Sequence, residues 1–160
     1  YGKENDAYWR RYKIAIAMLA TYTGPITVYY GDEIGDIVDC WPNCGGSTAG
    51  DNMARTDGQI TNFDSKQQDM HDFTAKVMKL RQEHLCMWRG SNNCATQGGA
   101  VVNIKYDEAT KERIVFVCNI GTGSATVTVN YDKMVDLITG ETAGKSFQVE
   151  GLGVRIFLVQ

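Results

Sequence analysis

The sequence has 160 residues, of which 43% are hydrophobic and 22% are charged, as is usual for a globular protein of one domain or two small ones. Its formal net charge is −3 and it contains no block of basic residues, so the composition argues against nucleic-acid binding. No stretch is apolar over the length that a membrane-spanning helix requires, and we therefore predict no membrane span.

The first predicted element is a helix from Asn5 to about Thr23. Asn5 or Asp6 can cap its start, and Gly24 with Pro25 ends it, because proline cannot continue a helix. One face of the helix is apolar, since bulky side chains recur every three or four residues. These side chains belong to Tyr8, Tyr12, Ala15, Leu19 and Tyr22.

A strand is predicted next, over the run "ITVYY" from Ile26 to Tyr30. This β-branched and aromatic run has no polar alternation, which is typical of a parallel strand covered on both faces by helices. The polar, glycine-rich stretch from Gly31 to Asp64 has little periodicity and is predicted to be a long loop. Loops at the carboxyl ends of parallel strands are where α/β folds bind ligands.

A second helix is predicted from about Ser65 to His84. After about Ser91, short runs with alternating apolar residues are separated by turn residues, which predicts an antiparallel β-sandwich. The fold class is therefore α+β, and we predict two domains, residues 1–90 and residues 91–160. The predicted strands are "AVVNIKYD", "ERIVFVCNI", "ATVTVNY", "MVDLITG", "SFQVEG" and "VRIFLVQ".

The five cysteines leave two alternatives open. Cys40 with Cys44 and Cys86 with Cys94 each form a local pair that suits a disulfide, with Cys118 left free, but reduced thiols fit the sequence equally well. Metal binding is disfavoured, because the chain has two histidines and neither lies at ligand spacing from a cysteine. We predict no metal site and no cofactor. Disulfides would indicate a periplasmic or extracellular protein.

The first ninety residues are too few for the fold that their pattern indicates. A single parallel strand leaves both of its edges without partners, and a closed eight-stranded barrel needs roughly 250 residues. We therefore expect residues 1–90 to be the end of a larger α/β domain whose earlier part precedes Tyr1. Alone, the orphan strand from Ile26 to Tyr30 is expected to cause self-association or local disorder.

Several segments resemble glycoside hydrolase family 13, the α-amylase superfamily. "GPITVYYGDEIG" is similar to the family's last barrel-strand motif, G-x-P-x-x-Y-Y-G-x-E, and "VMKLRQEHLCMWRG" is similar to its eighth helix. "GDNMARTDGQ" resembles the loop after the eighth strand, although "ARTDGQ" departs from the usual pattern and "CWPNCGGSTAG" is an insertion. The β-rich tail resembles domain C, the antiparallel sandwich that ends these enzymes.

The resemblance implies the last helix–strand–helix portion of a (β/α)8 TIM barrel followed by domain C. It implies a parent enzyme that hydrolyses α-glucans such as starch, maltodextrin or pullulan by a retaining mechanism. The catalytic aspartate and glutamate and the aspartate of the N-H-D motif would all lie before Tyr1, so the fragment is expected to be inactive. Its partners would be the rest of the parent chain and, through that, the glucan.

Within the sequence, Asp51 and Arg55 are the best candidates for contacts with sugar hydroxyls, and a surface ion pair is the equally weighted alternative. Tyr30, at the end of the predicted strand, can stack on sugar or pack inside the barrel. Asp32 and Glu33 are not expected to form a catalytic pair, because adjacent side chains on an extended backbone point apart. The resemblance implies that Glu33 holds its loop by hydrogen bonds.

Four other residues that suggest chemistry have simpler interpretations. His71 and Asp72 have the letters of a catalytic His-Asp pair but are predicted to lie at an exposed helix start, and His84 is predicted to be a structural histidine. Trp88 is expected to pack in the core or at the domain interface.

The rival hypothesis is a stand-alone carbohydrate-binding or interaction module, which exposed aromatic side chains in the sandwich would favour. Tyr106, Phe116, Tyr131, Phe147 and Phe157 are instead expected in the core.

Overall fold

The computed structural model describes residues 5–36 and 57–160. Helix α1 covers Asp6–Ala20, and the Asn5 side chain caps it by accepting a hydrogen bond from the Ala7 amide at 2.9 Å. The helix ends where the Thr21 hydroxyl donates to the Ala17 carbonyl oxygen at 2.9 Å. The predicted helix is therefore confirmed, with its end three residues earlier than expected.

Helix α2 covers Ser65–Glu83 and begins with a reciprocal cap. The Asp64 carboxylate accepts hydrogen bonds from the Lys66 and Gln67 amides, and the Gln67 side chain accepts one from the Asp64 amide. A four-residue helix α3, Cys86–Arg89, follows and was not predicted. The Glu112 carboxylate accepts a hydrogen bond from the first amide of α3 at 3.1 Å.

The second part of the chain forms two antiparallel sheets. One sheet has six strands in the order β1-β2-β3-β8-β5-β6, and the other pairs β4 with β7. The six predicted strands are all present, whereas β1 and β6 were missed. The bounds are β1 Asn93–Gln97, β2 Ala100–Tyr106, β3 Arg113–Asn119, β4 Ala125–Thr128, β5 Met134–Asp136, β6 Thr142–Ala143, β7 Ser146–Val149 and β8 Gly153–Val159.

Two hydrophobic cores lie on opposite faces of the large sheet. Alternate residues of β3 point to opposite faces, so Phe116 packs toward the helices and Val115 and Val117 pack toward the small sheet. The helix-side core joins side chains of α1, α2 and α3 to β3 and β8. The sheet-side core closes the sandwich, and Phe157 meets Phe147 there with ring centroids 4.8 Å apart. The domain boundary at residue 90 stays a prediction.

The strand predicted over Ile26–Tyr30 is wrong for this chain. The segment, which we call the extended segment after its predicted conformation, pairs with no other strand, and Val28, Tyr29 and Tyr30 are exposed rather than buried. Among the described residues, the backbone groups of Ile26, Thr27 and Val28 have no hydrogen-bond partner. A β-strand exists only through its neighbours, so the residue pattern alone cannot produce one.

Of the two alternatives left open for Cys86 and Cys94, the structure has the reduced thiols and not the disulfide. Cys86 is buried in the helix-side core and Cys94 is exposed on β1, and both are free thiols. Cys118 is free and buried, as expected. Cys40 and Cys44 lie outside the described residues. Among the helices described, none is long and apolar enough to cross a membrane.

Candidate functional site

The most distinctive local geometry follows the extended segment, in residues 31–36, which we call the acidic turn. Its centre is a short 3₁₀ helix, Asp32–Ile34, flanked by Gly31 at φ 90° and Gly35 at φ 63°. Both glycines have the left-handed backbone that other residues rarely adopt. A Cβ atom at Gly35 would lie 2.7 Å from the Trp9 ring, so the turn packs closely on helix α1.

The carboxylates of the acidic turn are occupied by structural hydrogen bonds. Asp32 accepts from the Tyr12 hydroxyl at 3.0 Å and from the Tyr29 amide at 3.1 Å. Glu33 accepts from the Gly31 amide at 2.8 Å, which is the loop-holding contact expected for it. The two acids therefore fasten the end of the extended segment to itself and to helix α1.

Two tyrosines of helix α1 lie against this turn. Burial and the hydrogen bond to Asp32 raise the pKa of Tyr12 above its usual range. Burial, followed by the charges of Asp36 and Asp32, raises the pKa of Tyr8, whose hydroxyl donates to the Gly35 carbonyl oxygen at 3.2 Å. Both phenols therefore stay protonated at physiological pH and act as hydrogen-bond donors.

Of the three predicted sugar-contact residues, the described part of the chain contains only Tyr30. Its ring lies 4.4 Å from that of Tyr29, centroid to centroid, and the two side chains are 46% and 53% exposed. Asp51 and Arg55 lie outside the described residues, so the structure does not bring the predicted set together. An exposed pair of aromatic rings at this position can pack on an apolar surface or on the face of a sugar ring.

An apolar groove, which we define by Pro25, Ile26, Met78, Leu85 and Trp88, runs beside the extended segment. Its volume is about 960 Å³. Trp88 is 38% exposed on the wall of this groove, so the packing expected for it, in the core or at the domain interface, is only partial. The groove and the unpaired backbone of Ile26–Val28 form one continuous surface without a covering element among the described residues.

The histidines have no arrangement suited to catalysis. His84 Nδ1 lies 2.7 Å from Glu112 Oε1 in a partly buried pair, which confirms its structural role. His71 is the seventh residue of helix α2 and so does not lie at the helix start expected for it; its Nδ1 is 3.5 Å from Asp72 Oδ1. In residues 5–36 and 57–160, no group of three or more potential ligands can hold a metal ion.

A buried lysine, which the sequence analysis missed, ties the two parts together. Lys105 on β2 is 0% exposed, and its ammonium donates to the Thr23 hydroxyl at 2.6 Å and to Asn92 Oδ1 at 2.8 Å. Burial lowers the pKa of Lys105. Arg81 of α2 donates to the carbonyl oxygens of Ala20 and Tyr22, at 2.7 Å each. The residues just before the extended segment are thus held by two cations.

No family model matches this sequence, and no curated protein matches it. Solved structures do. The crystal structure of AmyP in complex with maltose aligns over 100% of this chain with a TM-score of 0.86 and 22% identity. The Anoxybacillus α-amylase aligns over 94% (TM-score 0.70, 18% identity), and the trehalulose synthase MutB from Pseudomonas mesoacidophila MX-45 over 100% (TM-score 0.71, 14% identity).

The chain spans only about a third of the proteins that it matches: 36% of AmyP, 32% of the Anoxybacillus enzyme and 40% of MutB. Because the sequence identities are 22% or lower, the comparison establishes the fold alone. The mixed helical and antiparallel-sheet architecture matches the C-terminal part of α-amylases, and the resemblance found in the sequence is confirmed at that level.

Proposed function

We propose that this chain, which has the fold of the C-terminal part of α-amylases, belongs to a retaining glycosidase that acts on α-glucans such as starch, maltodextrin or pullulan. The observation that carries the proposal is the alignment of the whole chain with AmyP at a TM-score of 0.86, although it covers 36% of that protein. The motifs at Gly24–Gly35 and around Arg81 lead to the same family independently.

We propose that the chain does not hydrolyse glucans by itself. A retaining glycosidase needs two carboxyl groups about 5–5.5 Å apart, one as nucleophile and one as acid and base. The proposal of inactivity is supported by the hydrogen bonds of the acidic turn. Its carboxylates, Asp32 and Glu33, already accept hydrogen bonds from Tyr12, Tyr29 and Gly31 and thereby hold the loop. The catalytic aspartate and glutamate are then residues of the parent that precede Tyr1.

The principal partner is the remainder of the parent's barrel. Ile26–Val28 has the residue pattern of a barrel strand, and its free backbone groups would pair with neighbouring parallel strands. The apolar groove beside it would pack against the barrel helices that accompany those strands. Without them, we propose that the chain self-associates through this half.

Tyr30, Asp51 and Arg55 are the residues proposed to contact the glucan from the wall of the parent's cleft. An extracellular or periplasmic location is also proposed, and it now depends on the spacing of Cys40 and Cys44, because Cys86 and Cys94 are free. Of the five aromatic residues expected in the core, Phe116 and Phe157 are buried, whereas Tyr106, Tyr131 and Phe147 are half-buried. Since none of the five is exposed, they support the glycosidase over the stand-alone binding module.

The test is a comparison of two proteins. The parent, expressed from the full reading frame, should release reducing sugar from starch, and an upstream Asp→Asn substitution in its N-H-D motif should reduce the rate at least 100-fold, on the order of what a transition-state contact supplies. A reading frame with no N-H-D triplet before Tyr1, or a parent without activity on any α-glucan, would contradict the proposal.

A further inference from the structure

The large sheet ends in an open edge strand. Strand β1, Asn93–Gln97, pairs with β2 on one side, and no strand in residues 5–36 or 57–160 pairs with its other side. The register with β2 is continuous, without a bulge, and the strand's sequence "NCATQ" contains no charge and no proline. Bulges, charges and prolines are the means by which proteins protect an exposed edge from another strand. This edge is therefore competent to pair.

The backbone groups on the open side of β1 belong to Cys94 and Thr96. The Ser91 amide, in the same register as the strand pairing, donates to the Tyr106 carbonyl oxygen at 2.9 Å. Because the backbone groups of alternate residues point to opposite sides of an antiparallel strand, Ala95 bonds to β2 whereas Cys94 and Thr96 point outward. Their peptide N–H and C=O groups have no partner in the described part of the chain.

The residue types of β1 are symmetric about Ala95. Asn93 and Gln97, at the two ends, both carry carboxamides, and Cys94 and Thr96 both carry small side chains. Two antiparallel copies centred on Ala95 would place carboxamide opposite carboxamide, and each can donate and accept. The two Ala95 Cα atoms would lie about 4.5 Å apart, a close approach that suits a small side chain. The strand is thus complementary to a second copy of itself.

We propose that β1 is the two-fold interface of a dimer of this chain, in which the edge strands pair antiparallel about Ala95 and join the two large sheets. Cys94 of each copy then exchanges N–H···O bonds with Thr96 of the second copy. On the helix side of this edge, Met18 and Tyr22 are 48% and 62% exposed. They line a concavity of about 270 Å³ together with Cys94, and the second copy covers part of this apolar surface.

The association closes at two copies. A two-fold interface uses the same edge of both molecules, and the opposite edge of the large sheet is β6, which has only two residues. So short an edge strand offers little to a further chain. The β1 interface is separate from the self-association proposed for Ile26–Val28, and it does not depend on the proposed glycosidase function.

The test is sedimentation equilibrium of the 160-residue chain from about 10 μM to about 1 mM, with Thr27→Pro present throughout to suppress pairing at Ile26–Val28. We expect the mass to rise from one chain to two, with a dissociation constant of about 0.1 mM, as suits a small interface. Ala95→Lys and Ala95→Glu each place like charges opposite one another in the dimer and should each weaken association at least about tenfold. An equimolar mixture of these two variants should restore association, since the facing charges then attract.

Thr142→Lys is the matched control. It adds the same charge to an exposed residue of β6, at the opposite edge of the sheet, and should leave association unchanged. If the Ala95 variants perturb the fold, Thr96→Pro replaces them, because it removes only an outward-pointing amide and should weaken association at least about tenfold.

Three results would each overturn the proposal: a Thr27→Pro chain that stays monomeric over the whole concentration range, substitutions at Ala95 or Thr96 that associate as strongly as the control, and a mixture of folded Ala95→Lys and Ala95→Glu variants that remains monomeric.

Discussion

The ammonium of Lys105, buried in strand β2, donates a 2.6 Å hydrogen bond to the hydroxyl of Thr23, 82 residues earlier in the chain. Thr23 in turn donates to the Gly90 carbonyl oxygen at 2.9 Å, and Gly24 donates its amide to the Trp88 carbonyl oxygen at 2.7 Å. These bonds fix the turn after helix α1 to the large sheet. The direction of the extended segment that follows is therefore set by the sandwich.

Lys105→Met should change the pH dependence of stability. Burial lowers the pKa of Lys105 in the folded chain below its usual 10.5. As pH rises through the folded-state pKa, the folded chain loses a proton that the unfolded chain keeps until about 10.5, so the free energy of unfolding of the wild type increases with pH. The variant lacks this contribution.

At pH 7, Lys105→Met should be neutral or stabilising by about 1 kcal/mol, because a buried cation is replaced by an apolar chain of similar size. Neither acceptor is orphaned, since Asn92 Oδ1 still accepts from Asn103 and Thr23 still accepts from Asn92. Urea unfolding from about pH 7 to about pH 10 measures both effects. A difference between variant and wild type that stays constant with pH would contradict the account.

The Glu112 carboxylate links His84 to the start of helix α3. One oxygen lies 2.7 Å from His84 Nδ1 and the other accepts from the Cys86 amide at 3.1 Å. Glu112→Ala leaves both groups without this partner and should destabilise the chain by about 1–3 kcal/mol. Glu112→Gln keeps an acceptor for one of them and should cost about half as much.

The control for Glu112 is Glu108→Ala, which removes a carboxylate from the same loop. Glu108 is exposed and pairs with exposed Lys111, so its loss should cost no more than about 0.5 kcal/mol. Equal losses for Glu112→Ala and Glu108→Ala in chemical denaturation would show that the buried links contribute nothing.

The free cysteines should differ in reactivity. Burial raises the pKa of Cys86 and Cys118, which disfavours the reactive thiolate, whereas Cys94 is exposed. Brief treatment of the native chain with iodoacetamide should therefore label Cys94, and labelling of the other two should require urea. Recovery of a peptide in which Cys86 and Cys94 are linked would contradict the structure.

The unpaired segment should be visible in hydrogen exchange. In the dilute chain, the amides of Ile26, Thr27 and Val28 should exchange at rates close to those of an unstructured peptide, and in the parent they should be protected at least about 100-fold. Val115 and Val117 in the central strand β3 serve as controls and should be protected in both proteins.

Self-association through the same segment should appear in light scattering as a mass that rises with concentration. Thr27→Pro adds no charge and cannot continue a strand pairing, so it should shift the chain toward the monomer. A wild-type chain that remains monomeric with slowly exchanging amides at Ile26–Val28 would contradict the idea that this segment lacks its partners.

The elements that the sequence predicted well are those specified by local signals. Asp64 and Gln67 carry the cap that begins helix α2, and the alternation in β3 predicts which side chains reach each core. Strand β1 was missed because "NCATQ" is an exposed edge without apolar alternation. Strand β6, Thr142–Ala143, was missed because two residues are too few to show an alternation of apolar and polar side chains.

The wrong or missing predictions concern features that depend on distant residues. The pattern of Ile26–Tyr30 is that of a strand, yet pairing needs neighbours that the described residues do not supply. Lys105 stands at a core-facing position of β2, where a charged side chain gives no sequence signal of burial. Its environment arises from Thr23 and Asn92, which only the fold brings together.

The most direct measurement is reducing-sugar release from soluble starch by the purified 160-residue chain, beside the parent at equal concentration. The parent should turn over starch, and the chain should give no release above the buffer background. Turnover by the chain would show that it carries its own catalytic acids and would contradict the account. The Asp32→Asn and Glu33→Gln variants would then locate them: loss of turnover would assign them to the acidic turn, and unchanged turnover would place them elsewhere in the chain.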